Sequence, residues 1–176
     1  MDIAQALKNF RQSILCHDQS LCDEFIEFLE KPDCFLRANL ERHFTASAFV
    51  FDPSEKKALL IEHKKLKFWM QPGGHADGDS ELYRVAQKEL EEECALMGLE
   101  CDGKVFDIDK HLIPARMDVP EHFHYDVRFL FKGSSVLLRP SANDELTDLA
   151  WFGGDEIKAI ATDESVLRMY RKAVEL

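Results

Sequence analysis

Apolar residues near the start of the chain recur three and four positions apart. Ile3, Leu7, Phe10 and Ile14 form one set, and Leu21, Phe25, Phe28 and Leu29 form a second. That period is helical, so residues 1–42 read as helices, broken at Pro32 within EKPDCF. From Thr45 the period shortens. TASAFVF and KKALLIEH, separated by the turn residues DPSE, read as two strands joined as a hairpin or by a short loop. KLKFWMQPGGH then leads into a loop holding Gly73, Gly74 and Gly78. Ser80 is a suitable N-cap for a helix running to about Cys94, with Leu82, Val85, Ala86 and Leu90 as its apolar stripe. HFHYDVRFLFK alternates as a long strand. It places His122, His124, Asp126 and Arg128 on one face and Phe123, Tyr125, Val127, Phe129 and Phe131 on the other. A strand near DLAWF precedes a closing helix from about Asp163 to Val174.

Strands mixed with helices predict an α/β or α+β architecture in one domain, residues 43–176. Residues 1–42 are then a helical extension, too short to build a large core of their own. Their stripes must bury against the sheet or against a second copy of the chain. A substrate-side cap and a dimer surface both stay open.

The central helix is chemically odd. It carries Glu89, Glu91, Glu92 and Glu93. Like charges three and four apart repel by roughly 0.2–0.5 kcal/mol per pair, and these crowd the negative end of the helix dipole. Such a face is either simply solvated or the seat of a cation. Glu89, Glu92 and Glu93 share one side of the helix, and the neighbouring apolar stripe fixes that side at the edge of the core. Hard oxygen donors so grouped suit Mg²⁺ or Mn²⁺. The preceding GGHADGD adds glycines, which let backbone approach a ligand closely. Phe68 and Trp69 read as core or pocket wall, and Trp151 as core.

Composition narrows the partners. A net charge of −11 disfavours sequence-independent binding to nucleic acid or an anionic membrane, because phosphates need a basic footprint. No apolar run is long enough to span a bilayer, and MDIAQALKNFRQS lacks the apolar core of a signal peptide. Five cysteines without C-x-x-C spacing indicate reduced thiols in a cytoplasmic protein.

In register from Gly74, the chain supplies Glu89, Leu90, Glu92, Glu93 and Leu96. In these it resembles the Nudix hydrolase family, whose signature is G-x5-E-x7-R-E-U-x-E-E-x-G-U, with U a bulky aliphatic. It departs at Ser80, Lys88 and Ala95, which stand for Glu, Arg and Gly. HFTASAFVF, KLKFWMQPGGHADGD, HFHYDVRFLF and DELTDLAWFGGDEI look like the flanking strands and closing motif of a bacterial subgroup. The resemblance therefore runs from about His43 to Ile157.

The resemblance implies an α/β/α sandwich with a mixed sheet. It implies hydrolysis of a diphosphate linked to another moiety, usually a nucleoside diphosphate derivative. By carry-over, Glu89, Glu92 and Glu93 ligate Mg²⁺, with Mn²⁺ as a substitute and the Gly74 carbonyl assisting. Glu89 is the first candidate for the base, and the loop acid Glu145 is the alternative. Lys88 keeps a positive charge but lacks the guanidinium fork, so weaker orientation of Glu89 is expected. Ser80 removes a carboxylate, while Asp77 and Asp79 keep acids nearby. His75, beside the glycines, is placed for phosphate contact. His122, His124 and Asp126 are placed to line the substrate, against the plainer reading of a polar row on a sheet face. The expected partner is a small nucleotide or diphosphate, with neither nucleic acid nor membrane, and a homodimer is allowed. A non-catalytic nucleotide-binding Nudix domain is the alternative, but its usual marks, lost metal glutamates or a fused DNA-binding domain, are absent from the sequence. Isopentenyl diphosphate isomerase chemistry would need a catalytic cysteine and further ligands in motifs not seen here. No signature specifies the substrate.

Overall fold

Asp52 fixes the first hairpin. Its Oδ1 accepts the Ser54 and Glu55 amides at 2.9 and 3.1 Å and the Ser54 hydroxyl at 2.6 Å. Such side-chain-to-backbone bonds mimic a backbone turn. Lys56, at φ 51°, completes the reversal. The chain then pairs Val50 with Leu59, Phe51 with Ala58 and Asp52 with Lys57, antiparallel. The hairpin expected from DPSE is present.

The computed structural model describes residues 2–64, 67–116, 119–144, 146–160 and 163–176. The elements are α1 (Ile3–Arg11), α2 (Gln19–Phe28), β1 (Arg42–Asp52), β2 (Lys57–His63), β3 (Trp69–Met70) and β4 (Gly73–His75). They continue with α3 (Leu82–Cys94), β5 (Val105–Ile113), β6 (His122–Lys132), β7 (Leu146–Phe152), α4 (Gly154–Ile160) and α5 (Glu164–Glu175). The strands make one mixed seven-stranded sheet in the order β3-β2-β1-β6-β5, with β4 pairing β1 and β7 pairing β2. The chain divides into two compact units that share β1, β4, α3 and β6.

The first unit comprises Met1–Ser47, Gly74–Ala86 and Gly103–Phe129. Both of its N-terminal helices begin at an aspartate. Asp2 accepts the Ala4 amide and Asp18 the Leu21 amide, each at 2.9 Å, satisfying donors that a helix start leaves open. The α1 stripe of Leu7 and Phe10 and the α2 stripe of Cys22, Phe25 and Phe28 are buried. Phe25 lies 4.8 Å from Tyr125 and 5.8 Å from Phe44, ring centre to ring centre, and Phe28 stacks on Phe44 at 5.2 Å. Burying each such ring is worth about 1.5–3 kcal/mol. The stripes are thus covered by strands of the same chain.

The second unit comprises Ala48–Gly73, Gln87–Asp102 and Leu130–Leu176. Here β2 runs antiparallel to β1, β3 and β7. Its Leu59, Leu60 and Ile61 are buried on both faces. Asp163 caps α5 by accepting the Ser165 amide at 2.7 Å, where the sequence placed the start of the closing helix.

Three expectations are corrected. The helical reading of residues 1–42 fails after Phe28: residues 29–41 form turns and bends, and Ile14, counted in the first stripe, lies beyond α1 and is 98% exposed. Ser80 does not cap α3. The helix starts at Leu82, and Asp79 holds its entry by accepting the Glu81 amide at 2.8 Å and pairing with Arg84 at 2.7 Å. A carboxylate is the stronger acceptor and also favours the positive helix end. Finally, β5 and α4 were absent from the reading of the pattern.

Candidate functional site

The acidic helix is anchored at its end. The Gly73 amide donates to Glu93 Oε2 at 2.9 Å, and Glu93 is only 7% exposed. Glu89 is half-buried, while Glu91 and Glu92 are exposed. The last carbonyls of α3 find partners in the segment before β7. Ser141 donates to the Cys94 carbonyl at 2.9 Å, and Asn143 donates to those of Glu93 and Glu92 at 3.3 and 3.2 Å. These groups would otherwise be left open at a helix end. Ala95, in place of the family glycine, stands at φ 55°, the left-handed conformation in which glycine ordinarily ends a helix. Its amide reaches the Glu91 carbonyl at 3.0 Å.

Lys88 lies 3.3 Å from Glu92, an i,i+4 pair between two exposed side chains. Gly74 follows Gly73 on β4. Glu145 lies outside the described residues.

Carboxylate oxygens are the donor type that a hard divalent cation prefers. Three carboxylates occupy one face of α3, one buried, one half-buried and one exposed. Burying a carboxylate beside like charges is costly unless donors or a cation compensate, and oxygen ligands of this kind suit Mg²⁺.

A second polar cluster lies wholly within the first unit. Ligand-capable atoms of His43, His75 and His124 fall within 4.8 Å of one another. His43 stacks on His122 with ring centres 5.0 Å apart, and His122 Nε2 approaches His124 Nε2 at 3.3 Å. His43, at the start of HFTASAFVF, was not singled out from the sequence. The one signal available was a further histidine in a chain that already offers His75, His122 and His124 near strands.

Burial lowers the proton affinity of His43. Burial first, then the Arg37 charge, brings His75 down to about 4. His124 is pushed down strongly, by burial and then by the neighbouring imidazoles. These rings are neutral near pH 7.

Asp126 is buried and committed to protein partners. It accepts Thr45 Oγ1 at 3.0 Å, Ser47 Oγ at 2.9 Å and Arg128 Nε at 2.7 Å. Arg128 also reaches Asp107 at 3.2 Å and Asp109 at 3.4 Å. Burial opposes its charge, but the three aspartates, Asp126 foremost, raise its proton affinity further. This network ties the strand that carries His122 and His124 to β1 and β5.

With the acidic helix and sheet in view, the class is plain. The NUDIX domain family matches residues 41–172, and the chain belongs to that family. It is a pyrophosphate hydrolase of the Nudix type. The chain is 28% identical over 130 residues to the "Probable DHNTP pyrophosphohydrolase" of Lactococcus lactis subsp. cremoris (strain MG1363), covering 72% of this chain and 76% of that one. Among solved structures, a NUDIX-family hydrolase from Clostridium perfringens is 24% identical with a TM-score of 0.55, covering 77% of this chain and 97% of that one. The NUDIX domain of Shewanella oneidensis NrtR, solved with ADP-ribose, is 18% identical with a TM-score of 0.56, covering 85% and 96%. No helix among the described residues is long and apolar enough to cross a membrane.

Proposed function

We propose that the protein is a Mg²⁺-dependent hydrolase that cleaves a diphosphate bond in a nucleoside diphosphate-linked small molecule, with Mn²⁺ able to substitute. The observation that carries this reading is the carboxylate face of α3, with Glu93 held in place by the Gly73 amide. Glu89, Glu92 and Glu93 would hold the cation. When bound, such a cation neutralises phosphate charge and lowers the pKa of a coordinated water. Glu89 is half-buried, as suits a base kept partly from solvent, and it takes the proton in this reading. Glu145 is the alternative base. Lys88 pairs with Glu92 and keeps a positive charge next to Glu89 in the chain.

The relative from Lactococcus lactis adds dihydroneopterin triphosphate to the candidate substrates, since its printed name points to that compound. The test is a hydrolysis panel. Nucleoside triphosphates, nucleotide sugars, ADP-ribose and dihydroneopterin triphosphate are each incubated with Mg²⁺ or Mn²⁺, and products are resolved by chromatography. Cleavage between phosphates that stops with a chelator supports the proposal. Binding of a nucleotide without turnover under either metal overturns it.

A further inference from the structure

We propose that His43, His75 and His124 form a site for one transition-metal ion of the zinc class, with a fourth position left open. The donors are imidazole nitrogens, a chemistry different from the carboxylates of α3. Imidazole suits zinc and its neighbours in the first transition row, whereas Mg²⁺ prefers oxygen. Three histidines and one open position is a recurring zinc arrangement.

The geometry points there in three ways. The ligand-capable atoms of the three residues lie within 4.8 Å of one another. A tetrahedral site with zinc–nitrogen bonds of about 2.0–2.1 Å places its nitrogens about 3.4 Å apart, so modest ring rotation closes the set. Next, the proton of His43 is assigned by its partner. Its Nδ1 lies 3.0 Å from the Asn39 carbonyl, which accepts only, so Nδ1 carries the hydrogen. Metal-bound histidines are held in this way, with the second nitrogen donating to a carbonyl or carboxylate. Most telling is the other nitrogen. His43 Nε2 is buried and has no hydrogen-bond partner, on a residue only 3% exposed. A bare lone pair there is costly unless something electropositive meets it.

His122, itself buried, repeats the pattern. Its Nδ1 donates to the Pro120 carbonyl at 2.9 Å, which leaves Nε2 as an acceptor facing His124 Nε2 at 3.3 Å. A proton on His124 Nε2 would satisfy His122, yet it does nothing for His43 Nε2. A cation held by His43, His75 and His124 meets that lone pair directly. His75 and His124 are half-buried rather than sealed, so an ion can enter. The net charge of −11 favours its approach. In this assignment His75 and His124 bind the ion and not the substrate itself.

The experiment uses the full chain, purified without a histidine tag and stripped with a chelator. It is titrated with Co²⁺, followed by its ligand-field absorption, and then with Zn²⁺ as competitor. The expected result is one Co²⁺ per chain that shows the bands of a tetrahedral nitrogen site and is displaced by one Zn²⁺, beside any Co²⁺ that the α3 carboxylates hold without those bands. His75→Asn should weaken zinc binding by at least about 100-fold, because losing a ligand costs more than losing an outer partner. Glu92→Gln and His111→Asn should leave it unchanged. Nitrogen NMR of the wild-type imidazoles provides a reading that needs no variant: zinc should move the His43, His75 and His124 resonances together. The proposal is overturned by absence of tetrahedral Co²⁺ bands in the wild type, by zinc binding that survives His75→Asn, or by zinc that leaves those resonances in place. Zinc binding lost in Glu92→Gln instead would also overturn it, whether or not the hydrolase reading stands.

Discussion

Gly73 and Glu93 are twenty residues apart in the chain and joined by one hydrogen bond, amide to carboxylate oxygen, at 2.9 Å. The bond ties the glycine loop to the acidic end of α3. It also fixes which way the most buried of the four glutamates points. Glu93→Gln keeps an oxygen to accept that amide but removes the charge that a hard cation needs. Turnover with Mg²⁺ should fall on the order of 100-fold or more, with the melting temperature unchanged or raised because a repulsive cluster loses one member. Steady-state kinetics and a thermal melt on the same preparation decide it, and activity within tenfold of wild type would remove Glu93 from the site.

Lys88→Arg should preserve or modestly raise activity, by restoring the family residue with its planar donor fork. Lys88→Ala should cost no more than about 0.5 kcal/mol in stability, since the pair with Glu92 is exposed on both sides. Urea titration reads the second effect. Identical turnover in Lys88→Arg, Lys88→Ala and wild type would show that position 88 takes no part in catalysis.

Ala95→Gly should stabilise the protein. A non-glycine residue at φ 55° carries a steric cost of about 1 kcal/mol, which corresponds to a rise of about 2–4 °C in melting temperature for a chain of this size. A melt that drops on this substitution would mean that the Ala95 methyl makes contacts outweighing its strain.

Asp52 predicts a pH response. Burial favours the neutral acid. The donors Ser54, Ser135 and the Glu55 amide outweigh it and hold the carboxyl well below its usual range. A depressed carboxylate contributes its full stability above the unfolded pKa of about 4. That contribution is lost as pH falls from there through the folded value. Asp52→Asn should therefore destabilise the protein at pH 7 by about 1–3 kcal/mol and make stability less sensitive to acid. Denaturant titrations across the acid range test this. An unchanged acid dependence in the variant would assign the effect to other carboxylates.

Phe25→Ala should cost about 3–5 kcal/mol, because the ring is fully buried between Phe44 and Tyr125. Deleting residues 1–40 removes both helices and uncovers those strand aromatics, so the shortened chain should be poorly soluble. A soluble, monomeric and fully active truncation would show the extension to be dispensable. The mass of the intact chain in solution separates a cap, which permits a monomer, from a dimer surface.

Much of this architecture could be read where physics repeats. The first hairpin, the α3 stripe and the Asp163-capped α5 were legible because turn chemistry and periodicity agreed. The strand β5 was hidden because its Asp107 breaks the apolar pattern while being fully buried, paired with Arg128 from the adjacent strand. A charge neutralised across strands looks like a surface residue until its partner is known. The entry to α3 was misread for a local reason: Ser80 and Asp79 are both capping types, and backbone geometry chose the carboxylate. The acidic face was legible because one helix carries all of it. His43 was not, because its neighbours arrive from two other strands, and nothing in the residues around it marks which nitrogen carries the proton.

Asn39 settles that question, and it does so from outside the family boundary. Its carbonyl accepts a hydrogen bond from His43 Nδ1 at 3.0 Å, and its side-chain oxygen accepts the Glu41 and Arg42 amides, each at 3.2 Å. The NUDIX match begins at residue 41. Two chains identical from that point onward but different at residue 39 need not hold the His43 imidazole in the same tautomer. The tautomer of His43 is thus held by a turn that the family match leaves out. Relatives sharing its chemistry are better sought by an asparagine four residues ahead of the histidine than by overall identity.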